Sequence, residues 1–171
     1  TFVQDAAAQT LDLRRLTIRL NPEFDGKIAA ALGSRSTQSP HGFVFGDLTT
    51  PVSLSQQTIG RHVLDDGSPT RHDGNAHGWV SVGDRSASVT MKLRRPWQNY
   101  PKAYRASKEE ISIDLYPGLP APSQVEEPAF GNQSGPVYDG PLRVPQGMAK
   151  THELYIQIGA RQNDARAIDY H

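Results

Sequence analysis

The sequence predicts an all-β protein: an antiparallel β-sandwich with long Pro/Gly-rich connections and little helix. Three observations carry that expectation. Apolar and polar residues alternate with a period of two in one segment after another, the pattern of a half-buried strand. The 15 glycines and 13 prolines punctuate those segments, which suits corners between strands better than the uninterrupted periodicity of a helical bundle. At 171 residues, one domain can bury a core without disulfides or metals to hold it.

In LDLRRLTIRL, Leu16, Ile18 and Leu20 share one face and Thr17 and Arg19 the other, until Asn21 and Pro22 stop the run. KIAAAL (27–32) is expected to form one or two helical turns ended by Gly33. HGFVFGDL and PVSLSQQTI read as short strands between polar and Gly/Pro punctuation. GWVSVG sets Trp79 against Val80 and Val82. Gly83, Asp84 and Arg85 then turn into SASVTMKLR, where Val89, Met91 and Leu93 oppose Thr90, Lys92 and Arg94, so the pair reads as a hairpin.

EEISIDLYP places Ile111, Ile113 and Leu115 opposite Ser112, Asp114 and Tyr116. Residues 117–147 lack periodicity and read as a long connection with one short strand around Val137 and Tyr138. THELYIQIG sends Leu154, Ile156 and Ile158 inward, and NDARAID begins a helix capped by Asn163. The strands expected with greatest definition cover residues 16–20, 79–82, 87–94, 110–116 and 153–158, with Trp79 and Leu93 largely buried.

Lys plus Arg equals Asp plus Glu at 18 each, so no net field draws the chain to nucleic acid or an anionic membrane surface. The absence of cysteine excludes disulfides, thiolate chemistry and Cys-ligated zinc. No apolar run approaches the length needed to span a bilayer as a helix. The chain opens at Thr1 without a leader and closes on QNDARAIDYH without an obvious cap. It is therefore expected to be one β-sandwich domain over residues 1–171, a fragment or module of a larger protein.

The segment RRPWQNYPKAY (94–104) crowds cationic and aromatic groups into one irregular stretch. Pro96 and Pro101 lack backbone donors, so residues 96–101 cannot form a central strand. On the plainer reading, Trp97 and Tyr100 close the end of the sandwich while Arg94, Arg95 and Lys102 are solvated. On the functional reading an aromatic face stacks on a sugar ring and a cation pairs with a uronate carboxylate.

KTHE (150–153) enters the last strand with Lys150 and His152 on the side of Leu154. A histidine beside a cation is shifted toward its neutral, basic form and can move protons, although such rim histidines are more often structural. HDGNAH (72–77) reads as an ordinary loop without the converging ligands of a metal site, and Asp65-Asp66-Gly67 reads as a turn. Asn132-Gln133-Ser134 is a formal glycosylation sequon, and no phosphate-binding glycine loop or nucleophile elbow occurs.

Taken in order, GWVSV, WQNYPK, ISIDLYP and GMAKTHELYI resemble the central β-sandwich domain of the YetA-like exo-rhamnogalacturonan lyase family. The resemblance covers residues 78–158, and it departs at Pro96, where that family has an aromatic residue before the tryptophan. It implies a part in β-elimination on pectic rhamnogalacturonan: a uronate carboxylate is neutralised, the C5 proton is removed and the 4-linked oxygen leaves. It also implies flanking domains that supply much of the cleft, so this chain alone is expected to show no turnover; because its ligand sets are incomplete, no metal or cofactor is expected either.

The candidate substrate-binding residues are Arg95, Trp97, Tyr100, Lys102, Lys150 and His152, with the catalytic residues unassigned. The expected partners are an acidic polysaccharide and the flanking domains of the parent protein, with self-association left open, in an extracellular or cell-surface setting. Glu153 or Asp114 would reduce the cationic cluster to an ordinary surface network if either neutralised it. Two alternatives stay open: a non-catalytic carbohydrate-binding module, and a structural or self-assembling sandwich.

Overall fold

Alternating faces need something to bury against, and here each sheet buries the other. The computed structural model describes residues 10–35, 41–117, 142–145 and 149–160. One antiparallel sheet runs β2 (Leu16–Leu20), β11 (Ile111–Tyr116), β10 (Lys102–Ala106), β5 (Val52–Thr58), β6 (Arg61–Asp65) and β7 (Thr70–Asp73). The other runs β13 (Leu154–Ala160), β9 (Ala87–Leu93), β8 (Ala76–Gly83), β3 (Ala29–Ser34) and β4 (Phe43–Phe45). A separate ribbon pairs β1 (Thr10–Leu13) with β12 (Leu142–Pro145). The expected all-β antiparallel sandwich is the fold of the chain.

The period-two pattern fixes which residues meet between the sheets. Ile111 and Ile113 from one sheet and Leu32, Val80, Met91 and Leu93 from the other are fully buried. Each such side chain contributes about 1.5–3 kcal/mol by leaving water. Trp79 faces away from this core, opposite Val80 and Val82, yet it is also buried because its indole lies flat on Gly33. A Cβ at Gly33 would overlap that ring.

KIAAAL is not helical: its last four residues lie in β3, which pairs with β8 on one side and β4 on the other. Ala30 and Leu32 face the core opposite Val82 and Val80, so the two ladders and this burial override alanine's helix propensity. Gly33 is therefore a floor for Trp79 and not a helix stop.

HDGNAH also departs from expectation. Residues 72 and 73 end β7 and residue 76 begins β8, so Gly74 and Asn75 alone carry the chain from one sheet to the other. The segment after Pro101 does not simply cross a corner, because KAYRA forms β10, a central strand between β5 and β11.

The hairpin between β8 and β9 forms as expected. The Asp84 carboxylate accepts from the Ser86 and Ala87 amides at 2.7 and 2.9 Å, the Ser86 hydroxyl at 2.8 Å and the Asp25 amide at 3.0 Å. Those donors, the Ala87 amide foremost, hold it well below the ordinary carboxylate range. Asp65-Asp66-Gly67 turns β6 into β7, with the Gly67 amide donating to Asp65 Oδ1 at 3.1 Å. The strand expected around Val137 and the helix expected from Asn163 lie outside the described residues.

Candidate cationic site at one end of the sandwich

β9 ends at Leu93 directly beside Leu154, the first residue of β13. Past that pair, the Arg94 amide donates to the Glu153 carbonyl at 3.0 Å, and the Arg94 guanidinium reaches both Glu153 carboxylate oxygens at 2.8 and 2.7 Å. These contacts hold Glu153 beside the corner that follows β9. Arg95 turns that corner with φ of +51°, a conformation uncommon for a residue with a side chain. The Asn99 side chain donates to its carbonyl at 3.0 Å.

Pro96 packs on Gly78, where a Cβ would overlap the proline ring. A short 3-10 turn, Trp97–Asn99, follows; Trp97 is exposed and Tyr100 is half-buried. Tyr100 and Pro101 are joined by a cis peptide bond.

Lys102 opens β10 on the same side as Tyr104, so its side chain starts toward the interior, and it is 2% exposed. Its Nζ donates to the carbonyls of Asn99, Pro101 (3.0 Å) and Leu115 (2.7 Å). Burial, and then the charge of Lys150, push its pKa down to about 7. Three carbonyl acceptors require three donors, which only the ammonium supplies, and this geometry holds the charge against that pressure. Lys102 thus clamps the 99–101 corner to the end of β11, and its donors are fully used.

His152 lies in the field of both lysines. Burial, followed by the charges of Lys102 and Lys150, pushes it down to about 4, so it is a neutral imidazole at neutral pH. Lys150 itself is exposed. Glu153 is held below its ordinary value chiefly by the Arg94 hydrogen bonds, with a further contribution from the charge of Arg95. Asp114 is elsewhere, on the outward face of the six-stranded sheet with Arg15 and Arg105.

The structure therefore brings the six candidate residues to one end of the sandwich, with different surroundings. Lys102 is sequestered as a structural clamp. Arg95 sits on the turn beside Glu153, and Trp97 and Tyr100 form the corner that Lys102 anchors. Lys150 and His152 lie within electrostatic reach of Lys102. Among the described residues, neither Glu153 nor Asp114 forms an ion pair with Lys150 or Lys102.

Sequence reasoning missed a buried polar cluster at the same end of the strands. His62 faces inward from β6; its Nδ1 lies 3.1 Å from the Gly74 carbonyl and its Nε2 2.9 Å from Ser34 Oγ. A carbonyl can only accept, so Nδ1 carries the proton and Nε2 accepts from the serine hydroxyl. His72 stacks on His62 with centroids 5.5 Å apart, and Phe43 closes on His72 at 4.8 Å. Ser34 and His62 are both buried, so this pair ties the two sheets together and presents no nucleophile to a substrate. Next to it, Gln56 donates to Asn75 Oδ1 at 2.7 Å and accepts from the Ala76 amide at 2.8 Å. The one sequence signal for this cluster is a polar residue at an inward position of a strand.

These histidines set a pH dependence. Burial lowers His62, and burial with the two lysines lowers His152, relative to an ordinary value of 6.5. The unfolded chain then binds more protons than the folded chain below that value. Their contribution is complete above about pH 6.5 and is lost as the pH falls through about 4 for His152. Urea midpoints are expected to decline across this window, with His152→Gln reducing the decline; a midpoint independent of pH from 7 to 4 would contradict it.

Among the described residues, no group of three or more histidine, aspartate or glutamate side chains could hold a metal ion, and no helix is long and apolar enough to cross a membrane. The fold and this end together define a β-sandwich protein whose aromatic corner, anchored by Lys102, has Lys150 and His152 within electrostatic reach of that anchor. Searches of family models, curated proteins and solved structures find no match to the chain.

Proposed function

We propose that the chain is a β-sandwich module of a rhamnogalacturonan-degrading polysaccharide lyase and turns its cationic end toward the acidic sugar chain. The observation that carries this reading is that Lys150 and His152 lie within electrostatic reach of Lys102, whose ammonium is bonded to the Asn99 carbonyl of the Trp97–Tyr100 corner. An exposed ammonium offers charge to a uronate carboxylate, and an exposed indole suits the C–H face of a pyranose ring. The ordered motifs over residues 78–158 support the lyase family.

In such a reaction, neutralising the carboxylate acidifies C5–H. Lys150 fits that role, and the neutral His152 imidazole is placed beside it as a hydrogen-bonding group. Flanking domains of the parent protein complete the cleft, so turnover belongs to the whole enzyme, acting outside the cell on its polymer.

Lys150→Glu is expected to weaken binding of rhamnogalacturonan oligosaccharides about tenfold or more while leaving the melting temperature nearly unchanged. Unchanged affinity would overturn the reading. A second reading, a structural sandwich that docks onto a flanking domain or onto itself, is favoured by β13. That edge strand carries no charge and, against the expectation that Leu154, Ile156 and Ile158 all turn inward, only Leu154 packs on the core while Tyr155, Ile156 and Ile158 are exposed. Loss of soluble oligomers on Ile158→Lys, with sugar binding absent throughout, would favour it over the first.

A further inference from the structure

The outward face of the six-stranded sheet holds a second concentration of charge, built on Asp114. This carboxylate is completely buried, on β11 between Thr17 of β2 and Ala103 of β10. Arg15, just ahead of β2, reaches Oδ1 through Nε at 3.2 Å and both oxygens through Nη2 at 3.1 Å. The Thr17 hydroxyl also donates to Oδ1, and Arg105 Nη2 lies 3.0 Å from Oδ2. The two arginine side chains nevertheless remain 44% and 40% exposed.

Among the described residues on and beside β2, β10 and β11, the charge does not cancel. The neighbouring Arg19 pairs with Glu110 at 3.2 Å, so three guanidiniums meet two carboxylates across β2, β10 and β11. A single guanidinium would neutralise Asp114; the second adds a like charge next to the first. Asp114 fixes the plane of Arg15 through three hydrogen bonds and holds Arg105 by one ion-pair contact, and Nη1 of each arginine makes no hydrogen bond among the described residues. Oriented guanidinium donors with one excess positive charge match a planar carboxylate.

We propose that Arg15 and Arg105, both paired to Asp114, form a second carboxylate-binding site on the outward sheet face that takes a uronate of an acidic sugar chain. The identity of this ligand rests on the proposed acidic-polysaccharide function. The site itself shares no residue with the Lys150 and His152 end. Arg15 and Arg105 are the contact groups and Asp114 is the positioning residue.

Arginine Nε–Hε NMR signals followed during titration with galacturonate, with neutral galactose as control, test this directly. The Arg15 and Arg105 signals are expected to shift with galacturonate and not with galactose. They should still shift in Lys150→Glu, which separates this site from the one at the end of the sandwich. Arg105→Gln leaves Asp114 neutralised by Arg15, so the fold should persist while galacturonate affinity falls about tenfold. No shift with galacturonate, an equal shift with chloride at the same ionic strength, or an unaltered affinity in Arg105→Gln would reduce the cluster to a structural ion network. Weakened oligosaccharide binding in Lys150→Glu with the Arg105 response to galacturonate intact would support both sites. Insensitivity to Lys150→Glu alone would count only against the end of the sandwich.

Discussion

Trp79→Ala is expected to destabilise the protein by about 3–5 kcal/mol. The indole is 4% exposed although it points away from the core between the sheets, and it rests on a glycine that no other residue could replace without overlap. Truncation leaves a cavity over Gly33 that β3 and β8 cannot close, because their register is fixed by pairing on both sides. The indole nitrogen is buried without a hydrogen-bond partner among the described residues, so the substitution breaks no polar contact and the loss is one of packing. Phenylalanine should recover part of the stability. A denaturation shift below about 1 kcal/mol would show that Trp79 is not packed in this way.

Lys102→Met carries the next largest effect, about 3 kcal/mol or more of stability. Methionine keeps the length of the chain but offers no donors to the three carbonyls that now accept from Nζ. Unsatisfied buried carbonyls each cost on the order of 1–3 kcal/mol, reduced where water can enter. The corner carrying Trp97 and Tyr100 should loosen as well, so sugar affinity falls together with stability. This pattern separates Lys102 from Lys150, whose charge reversal should lower affinity with the fold intact. Wild-type stability in Lys102→Met, measured by urea denaturation, would show that the clamp contributes nothing.

The elements most sharply legible in the sequence are those whose inward positions are uniformly apolar. Leu16, Ile18 and Leu20 mark β2 to the residue, and Ile111, Ile113 and Leu115 mark β11. Strands β6 and β10 escaped notice because their inward positions include His62 and Lys102. Both are polar groups satisfied by partners that only the fold brings close: Ser34 for one, and the Leu115 carbonyl for the other. Strand β3 was hidden differently, by three consecutive alanines whose local preference is helical and whose actual state is set by β4 and β8.

The candidate site was legible as residue types, since cations and aromatics in Gly/Pro-bounded corners can be read directly. Their placement was not. Nothing local distinguishes Lys102, closed off by carbonyls, from Lys150, open to solvent. The Arg94–Glu153 pair that aligns the two segments joins residues 59 positions apart.

Amide and side-chain NMR shifts recorded while a rhamnogalacturonan oligosaccharide is added to the labelled chain locate the sugar most directly. Shifts gathered in residues 94–102 and 149–153, with His152 among the most affected and the effect weakening as salt rises, are expected if the cationic end meets the acidic chain. Shifts gathered along β13 and absent from both of those segments, or no response at millimolar oligosaccharide, would contradict it.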